Sequence, residues 1–194
     1  MNVNEIFCSL QGEGCHTGTA AVFVRFSGCN LRCPFCDTDH SRATALSEQS
    51  IADIAGHYPA RLVVVTGGEP ALQLTGSLVD RLHQAGKYVA VETNGTLPLP
   101  TNVDWITLSP KDLWLGDAAL PILTHANELK VLFDGEHEPP MYNGIDISHA
   151  RFLQPCATAD ATHNAAVTAA AVEYIKSHPE WRLSLQTHKL IGIQ

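Results

Sequence analysis

The sequence predicts an α/β protein, an abbreviated (β/α) barrel formed by a single domain that spans residues 1–194. Two observations predict this fold: short runs of β-branched and apolar residues recur along the chain, and amphipathic helical patterns lie between several of them. Strands that alternate with helices are typical of parallel βαβ units. In such sheets ligands bind at the carboxyl ends of the strands, so we expect the functional motifs to cluster there.

The predicted strands are short and rich in Val, Ile, Leu and aromatic residues, as strands buried in a parallel sheet usually are. They cover residues 21–26, 62–66, 88–92, 105–108, 129–133, 152–154 and 181–186.

Three crossover helices are predicted between these strands. The first begins near Ser50 and Asp53, whose side chains suit a helix start. The second covers residues 75–85, with Gly86 where a C-terminal glycine cap belongs, and the third covers 165–176. The Pro- and Gly-rich connections 113–126 and 134–148 are predicted to be irregular, which abbreviates the barrel.

The charge balance favours a small-molecule substrate over nucleic acid. The formal net charge is -8, and 12 Lys and Arg residues are too few for a surface that neutralises phosphates. No apolar run approaches the length of a membrane span. Glu5 lies near the start, where a secretory signal would be basic and then apolar, so we expect a cytoplasmic protein.

Three of the six cysteines form a compact cluster in residues 28–38, directly after a predicted strand. Cys29, Cys33 and Cys36 have the spacing C-x3-C-x2-C. A four-iron cluster usually takes four cysteine ligands, so three leave one iron open to an outside ligand and to chemistry. The alternative is a zinc site completed by His40, since zinc accepts three Cys and one His. The remaining cysteines are interpreted as small buried hydrophobes.

The cysteine cluster resembles that of radical S-adenosylmethionine (SAM) enzymes. Phe35 directly before the last cysteine is typical of their SAM-binding loop, and residues 67–70 resemble their Gly-Gly-Glu-Pro motif. The resemblance implies a radical SAM partial barrel with a [4Fe-4S] cluster and SAM on its fourth iron. It implies that SAM is held by residues in the cluster loop and at strand ends: Phe35, Asp37, Glu69, Asn94, Gly95, Ser109, Lys111 and Gln154.

Further motifs resemble the 7-carboxy-7-deazaguanine synthase family along essentially the whole chain. They lie in residues 5–14, 23–29, 36–38 and 181–189. The resemblance implies ring contraction of 6-carboxy-5,6,7,8-tetrahydropterin to 7-carboxy-7-deazaguanine with loss of ammonia, in queuosine and deazapurine biosynthesis. A 5'-deoxyadenosyl radical would remove hydrogen from C6 of the pterin, and SAM would be regenerated.

The same resemblance implies site residues and partners. Arg25 would hold the substrate carboxylate as a bidentate fork, and Thr38 would offer its hydroxyl to Mg2+. His188 is a candidate for proton transfer. A flavodoxin- or ferredoxin-type reductant and a homodimer are implied as well. The implied substrate-binding residues are Leu10, Gln11, Gly12, Glu13, Arg25, Thr93, His188 and the terminal carboxylate of Gln194.

Two rival functions share parts of this pattern. A glycyl-radical activating enzyme also has C-x3-C-x2-C but acts on a protein backbone, whereas Gln11, Glu13 and Arg25 suit a small polar heterocycle. A non-catalytic zinc or iron-sulfur module would bind no SAM, and it leaves residues 67–70 explained only as a turn.

Overall fold

The computed structural model describes residues 1–39 and 42–194. Among these residues nine strands form one sheet, accompanied by five α-helices. The strands are β1 (Asn2–Leu10), β2 (Ala20–Phe26), β3 (Thr44–Ala45), β4 (Leu62–Gly67), β5 (Tyr88–Thr93), β6 (Trp105–Leu108), β7 (His125–Phe133), β8 (Asp146–Pro155) and β9 (Trp181–Leu183). The helices are α1 (Glu48–Gly56), α2 (Gly76–Gln84), α3 (Asp112–Leu115), α4 (Ala161–Ser177) and α5 (Thr187–Ile191).

Seven strands pair in parallel, in the order β2, β4, β5, β6, β7, β8 and β9. β1 pairs antiparallel with β2, and β3 pairs antiparallel with β1, so both extend one edge of the sheet. Helices α1 and α2 pack on one face of the first half, and α4 packs on the same sheet further along. The predicted α/β class with a partial barrel is confirmed.

The alternation of side chains along β2 shows how the sheet separates its core from its site. Val22 and Val24 are fully buried against α1 and α2. Ala21 and Phe23 point to the opposite face and belong to a smaller apolar cluster inside the barrel. Because side chains alternate along a strand, Arg25 also points into the barrel, toward its open carboxyl end.

All seven predicted strands are found, but several bounds were wrong. β7 and β8 begin earlier than predicted, because their first halves carry polar residues, mostly exposed in β8, that the apolar pattern does not mark as strand. The predicted strand 181–186 ends at Leu183, and α5 (Thr187–Ile191), which was not predicted, follows it. β1 and β3 were not predicted.

The predicted cap of the first helix was wrong, whereas the second helix ends as expected. Ser47, not Ser50 or Asp53, caps α1 by accepting a hydrogen bond from the backbone N–H of Ser50 at 3.0 Å. Thr75 caps α2. Gly86 follows α2 with a φ of +76°, which confirms the glycine at that position.

The irregular connections are confirmed in the described part of the chain. Residues 113–126 hold only the end of α3 and a short 3-10 helix (Gly116–Ala119) before β7 begins. No helix in the described part of the chain has both the length and the apolar character needed to cross a membrane.

A turn directly after β7 supplies a test of stability against pH. Asp134 Oδ1 accepts hydrogen bonds from the backbone N–H groups of Glu136 and His137, both at 3.0 Å, and Oδ2 lies 2.6 Å from His137 Nδ1. Burial alone would raise the pKa of Asp134, but these hydrogen bonds lower it to about 2. A depressed pKa in the folded state means stability that is present above the unfolded pKa and is lost as the pH falls.

We therefore expect Asp134→Ala to lower the free energy of unfolding by about 1–2 kcal/mol at neutral pH. The difference from wild type should narrow as the pH falls below about 4 toward about 2. Urea denaturation at a series of pH values measures it. Asp117→Ala, at an exposed position, is the control; a deficit for Asp134→Ala that stays constant with pH would contradict the assignment.

Candidate active site

The carboxyl ends of the parallel strands open into one cavity of about 760 Å³. A cavity of this size can bury a drug-sized ligand. The structure brings most of the predicted site residues together around it. Those that line it are Leu10, Gln11, Gly12, Glu13, Arg25, Cys29, Cys33, Phe35, Cys36, Asp37, Thr38, Thr93, Asn94, Ser109, Lys111, Gln154, His188 and Gln194.

The three clustered cysteines line this same cavity as free thiols. Burial raises the pKa of Cys29 and of Cys33, and the neighbouring thiols raise both further. The backbone N–H of Leu31 lies 3.4 Å from Cys29 Sγ, a donor suited to a thiolate. His40, which the zinc alternative requires, lies outside the described residues. Within the described residues, no three His, Cys, Asp or Glu side chains are grouped to hold a single metal ion.

The loop after β4 approaches the cysteine loop through a glycine. A Cβ atom at Gly68 would collide with the backbone oxygen of Gly28. The N–H of Glu69 donates to that same oxygen at 2.9 Å. Gly68 is therefore required so that the two loops can meet at the edge of the cavity.

The Glu69 carboxylate lies behind the cavity and not on its surface. It is 1% exposed and accepts hydrogen bonds from the backbone N–H of Ala71 (2.9 Å), the Thr93 hydroxyl (2.7 Å) and the backbone N–H of Asn94 (2.8 Å). Burial raises its pKa, and these donors oppose the rise. Glu69 therefore holds the end of β5 in place. It does not line the cavity, where its contact with SAM is predicted.

The end of β5 in turn contacts the cysteine loop. The Asn94 amide donates to Asn30 Oδ1 at 3.1 Å, and Asn94 itself lines the cavity. Gly95 does not line it; with a φ of +80°, it lets the turn pass close to Leu108.

Two further strand ends supply polar groups to the cavity. Lys111 donates to the Ser109 hydroxyl at 2.7 Å, and burial lowers the pKa of Lys111 to about 8. At the end of β8, Gln154 is 4% exposed and accepts a hydrogen bond from the Ser184 hydroxyl at 2.9 Å.

A buried network of charges and amides lies in the cavity wall. Lys130 Nζ donates to Glu13 Oε2 at 2.5 Å and to Glu92 Oε2 at 2.7 Å. Gln11 donates from its amide to Glu92 Oε1 at 3.1 Å. Gln186 donates to the other oxygen of Glu13 at 3.1 Å. The network can present both acceptors and donors to a polar heterocycle.

Arg25 lies in a second polar group at the cavity. Its Nε–H donates to Glu5 Oε1 at 2.8 Å, while the side-chain amide of Gln194 donates to Glu5 Oε2 at 2.8 Å. The backbone oxygen of Gln194 accepts from the Ser9 hydroxyl at 2.6 Å. A guanidinium has five N–H donors, so the group can also bind an anionic ligand.

His188, on α5, packs against the segment after β1. A Cβ at Gly12 would collide with the ring nitrogen Nδ1 of His188, so a glycine is needed there. Burial lowers the pKa of His188, which favours the neutral ring. Nearby, Lys189 donates to Asp37 at 2.6 Å and joins α5 to the cysteine loop.

Sequence reasoning missed several residues that line the cavity. Thr66 and Glu92 end two predicted strands and Gln186 lies in the motif 181–189, but none of the three was assigned to the site. Lys130 lies in the apolar strand β7, and Glu128 two residues earlier points to the same face. A pair of charges two apart in a buried strand was the signal that could have identified them.

Comparisons with known proteins point to the same class of enzyme as the sequence motifs. Residues 23–112 match the Radical SAM superfamily. The chain is 51% identical to 7-carboxy-7-deazaguanine synthase of Bacteroides thetaiotaomicron, covering 99% of this chain and 98% of that protein. It is 44% identical to the protein of the same name from Bordetella pertussis, again covering 99% and 98%. A crystal structure of QueE from Escherichia coli superposes with a TM-score of 0.76 at 28% identity, covering 96% of this chain and 94% of that one.

Proposed function

The chain belongs to the 7-carboxy-7-deazaguanine synthase family, and we propose that it is a radical SAM enzyme that converts 6-carboxy-5,6,7,8-tetrahydropterin to 7-carboxy-7-deazaguanine with loss of ammonia. One observation carries the proposal: a single cavity is lined both by the three clustered thiols and by the polar groups of Gln11, Glu13 and Arg25. Redox chemistry and recognition of a polar heterocycle can thus occur side by side.

The residues present fit a [4Fe-4S] cluster and SAM. Cys29, Cys33 and Cys36 offer three thiolates in one cavity and leave one iron for an outside ligand. When bound, the cluster and SAM supply a 5'-deoxyadenosyl radical that takes hydrogen from substrate. Asn94 and Lys111 lie at strand ends in the same cavity, where they can hold the polar groups of SAM.

The pterin is held by groups with complementary chemistry. The Arg25 guanidinium binds the carboxylate on C6, and a charge-assisted pair fixes both distance and orientation. Glu13 accepts hydrogen bonds from N–H groups of the pyrimidine ring, and Gln11 pairs with its amide-like edge. Since His188 carries a neutral ring beside Gly12, it can accept a proton released during ring contraction.

Finer features of the proposal follow from family membership. Thr38 lines the cavity, and its hydroxyl would be one ligand of a Mg2+ ion, which favours oxygen ligands. A flavodoxin- or ferredoxin-type protein reduces the cluster. The enzyme is a cytoplasmic homodimer, and its product enters queuosine or another deazapurine.

The test is anaerobic reconstitution with iron and sulfide, followed by incubation with SAM, dithionite, Mg2+ and 6-carboxytetrahydropterin. Mass spectrometry should detect 7-carboxy-7-deazaguanine. SAM cleavage without this product would make the substrate assignment wrong, and a protein that holds zinc and ignores SAM would overturn the enzyme class.

Arg25→Met should raise KM for the pterin by about 10- to 100-fold, since a hydrogen bond to a charged group contributes about 1.5–3 kcal/mol. Reductive cleavage of SAM without pterin should be unchanged, because Arg25 is assigned to the substrate carboxylate and not to SAM. Steady-state kinetics with both assays measure the two effects. Arg61→Met, at an exposed position, is the control; equal losses in both assays would argue that Arg25 supports the fold instead.

A further inference from the structure

Three charged side chains meet in the wall of the active-site cavity, well shielded from water. The side chain of Lys130 is 6% exposed, that of Glu13 is 16% exposed and that of Glu92 is 17% exposed. The ammonium is within hydrogen-bond distance of both carboxylates. The group comprises two potential negative charges and one positive charge.

Resting on the function proposed above, we propose that Lys130 is a positioning residue that keeps Glu13 ionised and oriented to accept hydrogen bonds from the N–H groups of the pterin. A carboxylate can accept from two adjacent donors only when it carries no proton. The ring nitrogen and exocyclic amine of an aminopyrimidinone are two such donors.

The geometry connects Lys130 to both predicted binding side chains. It bonds Glu13 directly, and it holds Glu92, which accepts the hydrogen bond from the Gln11 amide. The oxygen of that amide accepts from the backbone N–H groups of Gly12 and Glu13, at 2.8 and 3.2 Å. Removing the ammonium should therefore disturb Glu13 and Gln11 together.

The two buried carboxylates of Glu13 and Glu92 explain why a cation is needed at position 130. Burial tends to raise the pKa of Glu13, yet the charge and hydrogen bond of Lys130 lower it. Burial raises the pKa of Glu92. The other charged groups that face the network are Glu128, Lys111 and His188. Without Lys130, two buried carboxylates would face each other, and one would take up a proton.

Stability alone does not account for this arrangement. A buried ion cluster is often no more stabilising than apolar side chains of similar volume. Lys130 lies on β7 between Leu129 and Val131, whose side chains are buried in the core on the opposite face of the strand, while its own side chain lies on the cavity face. Its position at the cavity, beside two substrate-binding groups, gives the charge a use in binding.

The experiment compares reconstituted wild type with Lys130→Met, Lys130→Arg and the double variant Lys130→Met/Glu92→Gln. KM and kcat for the pterin are measured from about pH 6 to about pH 9, and SAM cleavage is measured without pterin. Lys176→Met is the control, because Lys176 forms an exposed ion pair on α4.

At neutral pH, Lys130→Met should raise KM at least about tenfold, whereas Lys176→Met should leave KM and pterin-free SAM cleavage at the wild-type level. Because Glu13 then needs a higher pH to ionise, KM should fall as the pH rises. The double variant removes the second carboxylate charge, so its pH dependence should move back toward wild type. Lys130→Arg keeps the charge and should keep the wild-type pH dependence even if its KM rises.

This role would be overturned if KM for the pterin depended on pH in Lys130→Met as it does in wild type. It would also be overturned if KM depended on pH identically in the single and double variants. A displaced pH dependence in Lys130→Arg would overturn it too, and this holds even if Lys130→Met does not fold. Wild-type enzyme that forms no 7-carboxy-7-deazaguanine would instead overturn the proposed function, and the substrate assigned to Glu13 with it.

Discussion

Cys36→Ala should abolish formation of 7-carboxy-7-deazaguanine, with a loss of at least about a thousandfold in turnover, because the cofactor supplies the reactive chemistry. Three thiols line the cavity, and under the proposed function each would hold one iron of the cluster. With only two protein ligands the cluster is not held at the edge of the cavity. Iron and sulfide content, the visible absorbance of the cluster and product formation measure the loss.

The matched control is Cys8→Ala, the same chemical change at a cysteine on β1 that was predicted to be buried but is exposed. It should keep the full iron content and turnover. A Cys36→Ala protein that retains wild-type cluster content and forms product would show that the cluster is held elsewhere. Equal losses in both variants would indicate general damage to the fold.

The position of the cysteine loop was predictable because the relevant information is local. Cys29, Cys33 and Cys36 follow directly after an apolar run, and a loop after a parallel strand opens at the ligand-binding edge. Residues 67–70 follow the next parallel strand, so the two motifs had to meet. The structure places them in contact through Gly68.

The rest of the site depends on contacts between segments far apart in sequence. Glu13 and Lys130 are 117 residues apart, and no local pattern pairs them. α5 is a short helix that packs against Gly12, a contact that the local sequence does not show. The residues just before α5 were therefore predicted to continue the last strand. Glu69 is predicted to contact SAM from motif resemblance, and such a resemblance carries no information about the burial of its side chain, which is 1% exposed.

Glu69→Ala is expected to lower the free energy of unfolding by about 3–5 kcal/mol. The carboxylate is 1% exposed and accepts three hydrogen bonds, from Ala71, Thr93 and Asn94. A buried donor left without its acceptor costs about 1–3 kcal/mol, and neighbouring losses are not additive. Urea denaturation of preparations with matched iron content measures the change.

Two variants separate these hydrogen bonds from general effects of a lost charge. Glu69→Gln keeps the side-chain volume and one acceptor oxygen but turns an amide N–H toward a donor, so it should lose less than Glu69→Ala. Glu173→Ala removes an exposed carboxylate on α4 and should change stability by no more than about 0.5 kcal/mol.

The same substitution should also weaken binding of SAM, even though Glu69 does not line the cavity. Its carboxylate holds the backbone of Asn94, and Asn94 reaches both the cavity and Asn30 in the cysteine loop. Without the carboxylate, the end of β5 loses its fixed position relative to that loop. A Glu69→Ala protein with a wild-type KM for SAM would show that β5 is positioned by its strand pairing alone. A raised KM in Glu69→Gln as well would show that one acceptor oxygen at position 69 is not enough to hold the end of β5 in place.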